Sequence, residues 1–185
     1  LTGDIQKKRD SDYWKSIEFS LMEKAAVSYY PSYVEEEAIH AIHPEYKIKA
    51  ITAYVYEKFL ENIDKDFAKR EGLLFVGGFA HPPNADAVLW FAKEIFPLIR
   101  QRIDVNFYVV GSKVTDAIKA LEQPGSGIIV KGFVTEEELA SLYSTSRIVV
   151  VPLRYGAGVK GKVVEAVYNG AAIVTTSIGS EGIPE

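Results

Sequence analysis

The chain has no cysteine, one methionine and two tryptophans. Without cysteine there is no disulfide framework, no thiolate zinc site and no cysteine nucleophile. The absence fits a reducing compartment. Excess basic charge is also missing: 21 Lys and Arg stand against 25 Asp and Glu, a formal net charge of −4. That excludes the strongly basic footprint of a nucleic-acid-binding domain. Long apolar runs are lacking too. Ile148-Val149-Val150-Val151 is among the longest, far below the roughly 20 residues that cross a bilayer. No basic-then-apolar leader opens the chain. It starts at Leu1 rather than Met and reads as a piece of a longer protein.

What is present is ordinary globular composition: 185 residues, 48% hydrophobic, 12% aromatic and 25% charged. Disordered and collagen-like classes are excluded. A chain of this length forms one domain, or one domain and part of another, and can bury a core without staples.

Two regions differ in pattern. In the first, Asp10-Ser11-Asp12 can start a helix over Tyr13 to Lys24, with Trp14, Ile17, Leu21 and Met22 at helical spacing. Ala25 to Tyr30 reads as a strand, and Ser32 with Glu35 as a capping box for a helix over Tyr33 to Ile42. Tyr46 to Tyr54 is a strand or an extended linker, and Glu57 to Arg70 a charged helix. From Gly72 the pattern becomes β-α-β-α-β-α-β-α-β. The strands are Leu73–Val76, Asn106–Val110, Gly127–Val130, Arg147–Val151 and Ala172–Thr175. The helices are Asn84–Arg102, kinked or tightened at Pro97, then Val114–Glu122, Thr135–Ser144 and Lys162–Tyr168. Short, continuous apolar strands suit a sheet covered on both faces. The alternation predicts an α/β fold with a doubly wound parallel sheet, whose ligands bind beyond the carboxyl ends of the strands.

That rule directs attention to the loops. Pro152 to Gly161 follows the most β-branched strand and leads into a helix. Gly156, Gly158 and Gly161 allow close backbone approach. The free amides of a helix start suit an anion, and Arg154, Lys160 and Lys162 add charged donors. Together they describe a diphosphate pocket; the bland alternative is a flexible loop with solvated lysines. Glu165, one turn on, can accept both hydroxyls of a ribose, or can simply favour the helix dipole. After the first strand of the second region, Gly77 and Gly78 let a ligand approach the backbone. The stretch is neither GxGxxG nor a Walker loop. His81 is a binding candidate or a turn residue, and Asn84 is read as a helix cap. His40 and His43 could be imagined on a metal, but lack HExxH-type spacing and are read as surface residues. Trp14, Tyr29, Tyr30 and Trp90 fall at core-like positions and are read as packing. No Ser/His/Asp set can be assembled, so no catalytic residue is assigned.

Leu74-Phe75-Val76-Gly77-Gly78 with Pro83-Asn84-x-Asp86-Ala87 resembles the first β-α unit of the donor-binding domain of GT-B glycosyltransferases, in particular glycosyltransferase family 4. Val109-Val110-Gly111, Val130-Lys131-Gly132-Phe133-Val134, Leu142-Tyr143 and Val151-Pro152-Leu153 follow in the family's order. So do Gly156-x-Gly158 through Glu165-Ala166, and Ile173-Val174-Thr175-Thr176 with Gly179-x-Glu181-Gly182-Ile183. The likeness covers residues 72–185. Residues 9–60 are similar to the end of the acceptor-side domain.

The resemblance implies a Rossmann-like C-terminal domain over 56–185, truncated at its end, preceded over 1–55 by the tail of the N-terminal domain and the linker. It implies transfer of a sugar from a UDP- or GDP-linked donor to a glycan or lipid-linked acceptor, with retention, in polysaccharide biosynthesis, and without a metal or other cofactor. Gly77, Gly78, His81, Arg154, Gly158, Lys160 and Lys162 would face the donor and its diphosphate, and Glu165 the ribose. The family's Glu-x7-Glu motif ends at Glu165, but its first Glu falls at Ala157 and is absent. The family's usual Arg and Lys near the first loop are also absent, so Lys160 and Lys162 are the expected substitutes. The implied location is cytoplasmic, with peripheral association at the inner membrane face allowed for the whole protein. Alone, this piece is expected to be inactive. A sugar-nucleotide epimerase of the same fold and a non-catalytic nucleotide-sugar or partner-binding module are the alternatives.

Overall fold

The computed structural model describes residues 5–51, 54, 56 and 66–183. The chain divides into two compact units between residues 53 and 54. In the first unit, α1 (Ile5–Lys24) is followed by β1 (Ser28–Tyr30), α2 (Tyr33–His40) and β2 (Ile48–Ala50). β1 and β2 pair in parallel, with Ser28 opposite Ile48. Parallel neighbours need a crossover, and α2 supplies it. Ser32 caps α2 through the Val34 N–H at 3.1 Å, not through a box with Glu35.

The reading of aromatics as packing fails for Trp14 and Tyr29, while Tyr30 and Trp90 are half-buried. Trp14, Leu21 and Tyr29 are 65%, 64% and 57% exposed. Of the expected stripe Met22 is buried and Ile17 half-buried, and Phe19, outside it, joins the packed side of α1. The Phe19 ring packs on His43 and Tyr46, centroids 4.7 Å and 6.1 Å away. Phe19 and Met22 are three residues apart and share a face one step round from the Trp14–Leu21 stripe. His43 stacks on Tyr46 at 4.4 Å, and His40 Nε2 lies 3.2 Å from the Tyr46 carbonyl. Both histidines are half-buried packing residues rather than surface ones.

In the second unit, β3 (Leu73–Val76), β4 (Phe107–Val110), β5 (Ile128–Gly132), β6 (Ile148–Val151) and β7 (Ile173–Thr175) form one sheet in the order β5-β4-β3-β6-β7. All four pairings are parallel. The connecting helices are α3 (Pro82–Trp90) with α4 (Phe96–Arg100), then α5 (Asp116–Lys119), α6 (Glu136–Thr145) and α7 (Gly161–Tyr168). This is the doubly wound α/β fold that the alternation predicts. Leu74, Phe75, Val109, Val149 and Val151 are completely buried. Each contributes roughly 1.5–3 kcal/mol of hydrophobic stabilisation. The covering is not uniform: on the edge strand β7, Val174 is 59% exposed.

The single helix expected over Asn84 to Arg102 starts at Pro82 and is interrupted. Between α3 and α4 lies a π-turn, Phe91–Ile95, where the Phe96 N–H reaches back to the Phe91 carbonyl. Pro97 has no N–H to offer the carbonyl four residues back, which removes one bond of the regular ladder. The extra residue rotates α4 relative to α3, so Phe96 is buried while Leu98 is 59% exposed. α6 carries the expected box: the Glu138 N–H donates to Thr135 Oγ1 at 3.2 Å, and the Thr135 N–H to Glu138 Oε2 at 2.9 Å. Residues 57–65 of the charged helix expected over Glu57 to Arg70 lie outside the described residues; Phe67–Lys69 forms a 3₁₀ turn. Among the described residues no helix is long and apolar enough to cross a membrane.

Candidate functional site

β3 and β6 are neighbours, and the chain leaves them in opposite directions: β3 leads to β4, β6 to β7. The carboxyl ends of such a pair open a crevice. Its first wall is the turn Gly77 to His81. The Gly77 N–H bonds the Val110 carbonyl at 3.0 Å, and the Phe79 N–H the Ser112 carbonyl at 2.9 Å. Gly111, at φ 150°, sits directly over this turn: a Cβ there would lie 1.9 Å from the Gly77 oxygen.

Asn84 is not the helix cap. Two prolines bring the start of α3 forward, the capping position falls on His81, and Asn84 is the third helical residue. Its buried amide instead bridges two loops. Nδ2 donates to the Gly78 carbonyl at 2.9 Å, and Oδ1 accepts from Lys162 Nζ at 2.7 Å. A Cβ on Gly77 would come within 2.9 Å of Nδ2, so the glycine leaves the amide its room.

The second wall is the loop from β6 to α7. Lys162, in the first turn of α7, lies 5.4 Å from the Phe75 ring centre. Burial, and secondarily the Lys160 charge, pushes its amine down to about 8. Lys160 caps α7 with its backbone and folds its ammonium onto the Gly158 carbonyl. Its side chain is only 9% exposed, and Nζ lies 3.4 Å from Glu181 Oε2. Gly156 and Gly158, at φ 128° and 76°, flank the exposed Ala157. A Cβ on Gly156 would touch Pro83 of α3 at 3.8 Å. The β6–α7 loop thus runs along the start of α3, and the positive φ at both glycines is a conformation that side-chain-bearing residues rarely adopt.

A third loop closes the end. The Thr176 hydroxyl donates to the Leu153 carbonyl at 2.5 Å, and a Cβ on Gly179 would lie 2.7 Å from the Val151 carbonyl. That seats the turn after β7 on the end of β6 and carries Glu181 to Lys160.

The predicted residues therefore divide. Gly77, Gly78, Gly158, Lys160 and Lys162 converge. Arg154 does not join them: it forms a two-pronged pair with Asp86 of α3, with Nε 2.9 Å from Oδ2, and lies 5.4 Å from the Trp90 ring centre. His81 is exposed and its side chain makes no capping bond. Glu165 faces α6, where its Oε2 accepts from the Tyr143 hydroxyl at 3.2 Å. Tyr143 is buried, and burial together with the Glu165 charge drives its phenol above the usual range. Replacing Tyr143 by phenylalanine leaves the packing but removes this donor. The expected cost is about 1 kcal/mol of stability, read from a denaturation midpoint.

Sequence reasoning overlooked Asn84 as a bridge, Tyr143 as the partner of Glu165, and Glu181. The double proline before Asn84 was a usable signal, because proline favours the first helical position and moves the cap upstream. Nothing local marks Glu181, whose contact spans loops. Among the described residues, no group of three or more metal-ligating side chains occurs.

The family of glycosyl transferases group 1 matches residues 70–185. An uncharacterized 44.6 kDa protein in the cps region of Klebsiella pneumoniae is 30% identical over 142 residues, 73% of this chain and 34% of that protein. The crystal structure of TarM superposes with a TM-score of 0.68 at 15% identity, covering 90% of this chain and 33% of TarM. The pneumococcal O-GlcNAc transferase GtfA, crystallised with UDP and GlcNAc, gives 0.65 at 17% identity, covering 88% and 32%. The chain thus spans about a third of the length of these proteins. The two structures share its GT-B type of α/β fold.

Proposed function

This chain belongs to the group 1 glycosyl transferases, and on that premise we propose that its second unit is the donor-binding, C-terminal domain of a family 4 enzyme, holding a UDP- or GDP-linked sugar. One juxtaposition carries the reading: Lys162, in the first turn of α7, is linked to the Gly77–Gly78 turn by Asn84, and the charge of Lys160 acts on it from the capping position of the same helix. Two ammonium groups, a helix start and a glycine turn are the kinds of donor that bind a diphosphate. Lys162 is held partly desolvated beside another cation, an arrangement that a bound dianion relieves.

In the reaction, the bond between the sugar C1 and the diphosphate oxygen breaks, its electron pair leaves on that oxygen, and an acceptor hydroxyl oxygen bonds C1 while its proton passes to the departing diphosphate. Negative charge grows on the departing diphosphate. The protein's part is to have cations in place where that charge develops. Glu165 would hold the ribose through the carboxylate that Tyr143 fixes. No metal is needed in this scheme. Retention, a hexose as the transferred sugar, and a glycan or lipid-linked acceptor bound by the rest of the protein belong to the same proposal. The cps-region relative is in keeping with polysaccharide synthesis.

Calorimetric titration of this chain with UDP, GDP and their sugar conjugates tests it. Saturable binding of one base is expected, weakened about tenfold or more by Glu165→Ala, the loss of a charge-assisted hydrogen bond. Equal affinity in the variant removes Glu165 from the site.

A further inference from the structure

The least expected feature of the site is a carboxylate inside it. Glu181 lies 3.4 Å from Lys160 Nζ, and its side chain is 24% exposed. The same ammonium donates to the Gly158 carbonyl. A carboxylate so near a diphosphate site opposes the binding of a free nucleoside diphosphate: the incoming phosphates and Glu181 compete for one cation, and both are negative. Yet the fold holds it there firmly. Gly179 has no room for a Cβ, which would lie 2.1 Å from the Thr175 hydroxyl oxygen. The Ser180 N–H bonds the Thr176 carbonyl at 3.1 Å, and the Ile183 N–H the Ser180 carbonyl at 3.0 Å. The turn bearing Glu181 is thus built against the end of the sheet.

We infer that Glu181 is a specificity-determining residue that accepts hydroxyl hydrogen bonds from the sugar of the donor, and so favours the sugar-linked nucleotide over the free nucleoside diphosphate. This rests on the donor-site reading above. When the diphosphate takes Lys160, Glu181 loses its counterion in a half-buried place and needs new donors. The sugar, bonded directly to the second phosphate, brings hydroxyl groups to that position. A free nucleoside diphosphate brings none and carries one more negative charge. Ala157, on the neighbouring loop, has no polar side chain to offer a hydroxyl. Glu181 therefore lowers the affinity of the leaving product relative to the donor, which helps product to depart.

The test is the ratio of two dissociation constants, which cancels any general change in the site. This chain and its Glu181→Gln and Glu181→Asp variants are titrated calorimetrically with UDP, UDP-glucose, UDP-N-acetylglucosamine, GDP and GDP-mannose. For the base that binds, Glu181→Gln is expected to tighten the free diphosphate and weaken the sugar-linked form. The ratio should shift by about tenfold or more, the size of a charged hydrogen bond. Glu181→Asp, which keeps the charge but shortens the reach, should restore the repulsion and only part of the sugar contact. A ratio unchanged in Glu181→Gln while both ligands still bind overturns the inference and leaves the donor site standing. Equal changes in both affinities show Glu181 to be a counterion alone and overturn it too. Failure of the unaltered chain to bind any of the five removes the donor-site reading, and this inference with it.

Discussion

Replacing Lys162 by methionine is expected to weaken the binding of a nucleoside diphosphate by about ten- to a hundredfold. The substitution removes a charge-assisted bond in a partly buried place, worth roughly 1.5–3 kcal/mol. Methionine keeps the length of the stem, so packing on Phe75 survives. The pH dependence separates this role from a general structural one. The Lys162 amine falls from the ordinary 10.5 to about 8 in the folded protein, chiefly through burial. Below pH 8 both folded and unfolded chains carry the proton, and the cost of burying the charge is fully present. Between about 8 and 10.5 the unfolded chain binds more protons than the folded one, so stability rises with pH across that window. In Lys162→Met this rise should vanish, as read from urea midpoints at pH 7.5 and 10. Diphosphate binding runs the other way. A dianion recharges Lys162, so affinity in the native chain should fall as pH climbs above 8, by up to about tenfold per unit. The variant should show no such slope. A native affinity flat from pH 7.5 to 9.5 would place the diphosphate away from Lys162.

Gly111→Ala is expected to be the most damaging single methyl group in the second unit. Its Cβ would lie 1.9 Å from the Gly77 oxygen and 2.7 Å from the Gly77 carbon, at a φ of 150° that side chains rarely adopt. Both contacts are to backbone, which cannot rotate away. Strain of this kind, added to a backbone shift in a packed interior, costs about 3 kcal/mol or more. The shift must fall on the Gly77–Gly78 turn, so nucleotide binding should be lost with stability. Gly78→Ala is the control. There a Cβ meets only the Ser112 hydroxyl at 3.4 Å, ordinary contact, and the change should stay within about 1 kcal/mol. Denaturant midpoints of the two variants decide the matter. Similar values would mean that the β3 and β4 loops do not depend on that close approach.

The sequence determined more of the fold than of the site. Continuous apolar strands separated by capped helices settle a parallel sheet, because each element's pattern is local and repeats. Thr135 with Glu138 is legible for the same reason: the whole interaction lies within four residues. The glycines after β3 and β6 and the lysines at the start of α7 are legible as the parts of the proposed anion site, since glycine at a turn and lysine at a helix start say something wherever they stand. Positions that depend on what packs alongside were misread. The stripe of Trp14 and Leu21 has helical spacing, but the face of α1 that packs is the one that meets His43 and Tyr46. Arg154 and Lys162 look alike along the chain, both cations of one loop. Only folding sends the first to Asp86 and the second to Asn84. The same holds for Glu181, which reaches Lys160 because the turn after β7 rests on the end of β6. Residue type fixes which bonds a side chain can make; which partner comes within about 3 Å is set by strand order, and that exists only in the folded sheet.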